Sequence, residues 1–154
     1  MRFRWFLASL ICSAAPLPAL AATGNVIFNG TIAATCTLTV DTNGTMTVSP
    51  DLQSLSSNNA GGAPGTVTLS TTGGVTLSVD PVTSTTVPVG DVTATTWTPT
   101  YASSGAHAIA ETGSSSSLTA PGSSTVTVNL AGTKGGSDRF TAGSYQATVT
   151  VRCE

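Results

Sequence analysis

The sequence predicts an all-β domain, a sandwich of about seven or eight short strands behind an N-terminal signal peptide. Three observations carry this. Beyond Ala21 no stretch longer than a turn has a helical apolar period, while two-residue alternation recurs along the chain. Valine and threonine abound, whereas the helix formers are scarce, with Lys+Arg at 5 and Asp+Glu at 7. Turn signals such as Asn43-Gly44, Gly73-Gly74 and Asp80-Pro81 separate the alternating runs.

The first segment is a leader. Arg2 and Arg4 form a basic start, and an apolar run follows from Trp5 to Ala15. Pro16-Leu17-Pro18 ends it, and Ala19 and Ala21 satisfy the small-residue rule for cleavage after Ala21. The apolar run is shorter than the roughly 20 residues that span a bilayer, so a cleaved signal is expected and not an anchor. Ile11 before Cys12 is too large for a lipoprotein cleavage site. The chain is therefore expected to cross a bacterial-type inner membrane. It would carry no membrane span in its mature form.

After the leader, Val26, Phe28, Gly30, Ile32, Ala34, Cys36, Leu38 and Val40 fall on one face, with mostly polar residues between them. This run covers about 15 residues, roughly 50 Å when extended. One small domain rarely holds a strand that long. Either the chain bends at Gly30 or Ala33-Ala34 and changes sheets, or the part up to Thr31 is an arm that completes another molecule. The layout is read as signal peptide 1–21, candidate donor arm 22–31 and sandwich 32–154.

Asn43-Gly44 suggests a hairpin turn before a short strand, Thr45 to Val48. A loop follows from Asp51 to Gly65. Val67 and Leu69 start the next strand, and Gly73-Gly74 turns it back into Val75, Leu77 and Val79. Further strands are expected near Val87 to Thr93, Ala94 to Tyr101 and Ala106 to Glu111, with Ser114 to Ser117 an exposed loop. Val126, Val128 and Leu130 alternate again, and Gly132 to Gly143 reads as loop. Tyr145, Ala147, Val149, Val151 and Cys153 then share one face of a terminal strand.

With Cys12 removed, Cys36 and Cys153 remain. An even count in an exported protein reads as a disulfide. Both lie on the apolar faces of their strands, so they can meet in the core.

Composition excludes several functions. At a formal charge of −2 the chain offers no basic surface for nucleic acid. No acid pair, triad or metal cluster is readable, so no catalytic residue, metal ligand or cofactor is assigned. His107 is the single histidine and is read as an ordinary loop or strand position. Asp41-Thr42-Asn43-Gly44 opens like a calcium loop, but Leu52 stands where the closing glutamate is needed. Asp80, Asp91 and Asp138 sit beside turn residues and are read as turn-shaping. Trp97 and Tyr101 fit a core better than a sugar platform.

The start of the mature chain, Thr23-Gly-Asn-Val-Ile-Phe-Asn-Gly-Thr-Ile-Ala-Ala-Thr-Cys36, resembles that of chaperone–usher pilins, fimbrial subunits that begin with an alternating apolar arm containing a glycine and then a cysteine. Ala142 to Val151 resembles their last strand. The likeness covers the two ends of the chain. Two features differ: the family often pairs its first cysteine with one much nearer in sequence, and many members end near an aromatic residue where this chain has Arg152-Cys153-Glu154. The resemblance implies an immunoglobulin-like sandwich lacking its final strand, filled by a neighbour's arm. It further implies a structural, non-enzymatic subunit that passes through the periplasm, with a chaperone and usher as partners, and is displayed on the surface as a head-to-tail polymer of like subunits. Val26, Phe28, Gly30 and Ile32 would be the donor residues, and Tyr145, Ala147, Val149 and Val151 the acceptor strand. The alternative is a stand-alone secreted or surface-attached immunoglobulin-like binding domain.

Overall fold

The computed structural model describes residues 22–154, so the expected signal peptide lies outside the described residues. The chain divides after Thr31 into two units. Residues 22–31 of the first form no strand or helix, and Val26, Ile27 and Phe28 are 77, 80 and 92% exposed.

The second unit, Ile32–Glu154, is all β. Its strands are β1 (Cys36–Thr42), β2 (Thr47–Val48), β3 (Ser54–Ser56), β4 (Gly65–Thr71), β5 (Val75–Val79) and β6 (Ser84–Thr86). They continue with β7 (Thr95–Gly105), β8 (Ile109–Thr112), β9 (Ser116–Leu118), β10 (Gly122–Lys134), β11 (Gln146–Thr148) and β12 (Val151–Cys153). All pairings are antiparallel. The large sheet runs β1-β4-β10-β3-β2, with β7 on the other edge of β10 and β8 on β7. Two smaller sheets are β12-β5-β9 and β11-β6. Among the described residues no helix is long and apolar enough to cross a membrane.

Alternation builds the core, because successive side chains of a strand point to opposite faces. Val67 and Leu69 of β4, Val126 of β10 and Tyr101 of β7 meet Val75, Leu77 and Val79 of β5 and Leu118 of β9 in one buried cluster. The large sheet and the three-stranded sheet thus share a core, an arrangement consistent with a β-sandwich. The Tyr101 hydroxyl is satisfied inside, 2.9 and 3.1 Å from the carbonyls of Ser114 and Leu77 and 2.8 Å from the Ser116 hydroxyl. It is therefore no surface sugar platform. Trp97 is half-buried across Gly132, its pairing partner on β10, where a Cβ would stand 2.6 Å from the indole ring.

Several expectations change. Among the described residues there are 12 strands, not seven or eight, because long runs break where their partners change. Asn43-Gly44 does not close a hairpin, since β1 pairs with β4 while β2 pairs with β3. Gly73 and Gly74, at φ of 87° and 75°, instead carry the chain from β4 in the large sheet to β5 in the other. Residues 87–93 form no strand, Ser116–Leu118 is a strand and not a loop, and β10 continues to Lys134. The terminal strand is split: β11 pairs with β6 and β12 with β5.

Cys36, at the start of β1, is disulfide-bonded to Cys153 of β12, with Cα atoms 6.1 Å apart and a sequence separation of 117. Replacing both cysteines by serine is expected to lower stability by about 2–4 kcal/mol, through the closed loop's effect on the unfolded chain. Urea unfolding reads this directly. An unchanged midpoint would mean that the bridge constrains nothing the fold needs.

Candidate strand-acceptor groove

Among the described residues β1 is bonded to β4 on one side only, and β12 only to β5. No ladder joins β1 to β11 or β12 among the described residues. Between these edges lies an apolar groove of about 520 Å³. Leu38 and Val40 of β1 line one side, and Ala147, Val149 and Val151 of the terminal segment line the other. Val67, Val128 and Leu130 add to its apolar lining. No charged side chain is among its lining residues. Leu38, Val128, Val149 and Val151 are only half-buried although they pack on the core, so the core is left open along this line.

The ends of the groove have different causes. The Cys36–Cys153 bridge ties its two walls together where β1 begins. At the other end of β1 the lining turns polar and small, with Asn43, Gly44 and Gly65. A Cβ on Gly44 would stand 2.9 Å from the Gly65 nitrogen, so only glycine lets the backbones approach there.

The terminal wall is anchored by a buried polar cluster beside it. Lys134 Nζ donates to Asp91 Oδ1 at 2.6 Å and to the Thr93 carbonyl at 2.8 Å. The Tyr145 hydroxyl, one residue before β11, donates to Asp91 Oδ2 at 2.6 Å. The Lys134 and Asp91 side chains are 0 and 1% exposed. Phe140 packs edge-on against Tyr145, ring centroids 5.3 Å apart, and lies 5.1 Å from the lysine nitrogen. Burial alone would raise the Asp91 pKa, but the hydrogen bonds from Lys134 and Tyr145, with the lysine charge, outweigh it and hold the carboxyl below its ordinary value.

The sequence-predicted residues are placed as follows. Cys36 and Cys153 are joined. Ala147, Val149 and Val151 line the groove, whereas Tyr145 is turned to Asp91. Val26 and Phe28 are exposed, nothing lies within 4 Å of where a Cβ on Gly30 would be, and Ile32 is 85% exposed. The opposite wall, Leu38 and Val40, belongs to the strand that follows Cys36. Asp91 does shape its turn, accepting from the Thr93 nitrogen at 3.4 Å, but its main partner is the chain's single lysine. A lone lysine ending an apolar strand was the available signal. His107 is held by the Ser124 hydroxyl at 3.1 Å and the Ala120 carbonyl at 2.9 Å, a structural pin between strands.

In comparisons with protein-family models, curated proteins and solved structures, nothing matches this chain.

Asp91→Asn removes the counter-charge of a buried lysine and is expected to cost about 3–5 kcal/mol at neutral pH. Asp91→Asn with Lys134→Met should cost less, since no charge is stranded. Because the folded carboxyl is depressed, its stabilisation is present above the ordinary aspartate pKa and is lost as pH falls through the lowered folded value. The stability gap between wild type and Asp91→Asn should therefore persist in mild acid and shrink only in strong acid, as read by denaturant titrations across pH.

Proposed function

We propose that this chain is an exported structural subunit of a surface pilus, assembled by β-strand addition. The arm of one copy enters the groove of the next between β1 and the β11–β12 segment. The observation that carries the reading is the coexistence of two complementary parts in one chain. One is an apolar groove flanked by unpaired strand edges. The other is an alternating segment whose Val26 and Phe28 are 77 and 92% exposed.

The energetics favour their union. Burying Val26, Phe28 and Ile32 contributes about 1.5–3 kcal/mol for each side chain. The arm's main chain would satisfy edges that otherwise template aggregation. Gly30 would let the inserted backbone lie close to its neighbours where the groove is shallow. The arm and the groove are different parts of the chain, so the contact between copies would be heterologous and would extend into a fibre. The pilin resemblance of the two chain ends supports the same reading, including an immunoglobulin-like fold lacking a strand, a periplasmic stage with a chaperone and usher, and final display at the cell surface.

Phe28→Asp would bring a charge into an uncharged groove, where desolvation is costly. The variant is expected to keep the Cys36–Cys153 bridge and the fold but to form no polymers. Size-exclusion chromatography and electron microscopy check this. Polymers of wild-type length from Phe28→Asp would remove the arm from the assembly mechanism and favour a self-contained binding domain.

A further inference from the structure

A subunit that carries its own donor arm faces a competition. Its arm is tethered to the same chain as its own groove, at an effective concentration of about millimolar, above that of free neighbours. To fill its own groove the arm would have to reverse just before Cys36 and run back antiparallel beside β1, because so short a link cannot make a parallel crossover. The reversal must fall within residues 31–35.

Ala33 and Thr35 of that segment are tied to the turn between β4 and β5. The Thr35 nitrogen donates to Thr72 Oγ1 at 2.8 Å, and Thr72 Oγ1 donates to the Ala33 carbonyl at 3.0 Å. The Thr72 nitrogen and the Thr71 hydroxyl both donate to the Thr35 carbonyl, at 3.1 and 2.8 Å. Ala34 lies over Gly74, whose Cβ position is 3.7 Å from the Ala34 methyl. Thr31-Ile32-Ala33-Ala34-Thr35 also contains no glycine or asparagine to supply the positive φ angles of a tight hairpin.

We propose that Thr72 is a steering residue: its hydroxyl bridges Ala33 and Thr35, blocks the reversal and so commits the arm to a second copy of this chain. The proposal rests on the strand-exchange reading above. It assigns the choice between self-filling and assembly to one side chain outside both the arm and the groove lining.

The test uses a fluorescent peptide spanning Thr23 to Ile32 as probe, added to dilute, freshly refolded full-length chain. Thr72→Val keeps the side-chain shape and removes the hydroxyl. It is expected to bind the peptide about fivefold more weakly than wild type, because loss of the hydroxyl's hydrogen bonds lets its own arm compete. Thr72→Ser keeps the hydroxyl and should bind as wild type does. In a Phe28→Asp background the arm cannot compete, so peptide binding should be the same with or without Thr72→Val, which excludes damage to the groove. Equal binding by wild type and Thr72→Val would overturn the steering role and leave strand exchange standing. Failure of the peptide to bind Phe28→Asp would overturn strand exchange and the steering role with it.

Discussion

A strand edge is complete only when its N–H and C=O groups have partners, and water is the only partner for an edge left at the surface. In this chain two such edges, of β1 and of the β11–β12 segment, flank the same apolar groove. The disulfide joins them at one end. The half-buried state of Leu38, Val128, Val149 and Val151 follows from this one missing ladder.

The remaining structure keeps that gap in shape. β4 and β10 form the central pair of the large sheet and present Val67 and Leu69 with Val126 to the core. Behind the terminal wall stands the Asp91–Lys134 pair, bound also by Tyr145. A buried ion pair is seldom a better stabiliser than apolar packing, but its fixed geometry specifies position. Here it ties the loop after β6, the end of β10 and the residue before β11 to one point. The start of the groove wall is thereby placed by polar contacts, in a chain of which only 8% is charged.

Much of this was legible in the sequence, for a physical reason. Alternation in β4, β5 and β10 reports a strand with one face buried, and it is local information. The Cys36–Cys153 pair was legible because only two cysteines follow Ala21. Ala147, Val149 and Val151 were readable as one apolar face. What escaped depends on distant pairing. Nothing near Thr148 says that β11 pairs with β6 while β12 pairs with β5. The valines at 87, 89 and 92 have strand propensity, yet Asp91 is drawn inward to a lysine 43 residues away, and the segment turns instead. Which edges stay open is also a property of the whole topology.

The central claim is that a neighbour's arm completes the ladder between β1 and the terminal segment. Amide hydrogen exchange, compared between wild-type polymer and monomeric Phe28→Asp, tests it most directly. The account predicts slowed exchange in the polymer along Val26 to Ile32, along β1 and along Ala147 to Val151, with the core amides of β4 and β10 unchanged. Equal exchange at β1 and Ala147 to Val151 in both forms would contradict it.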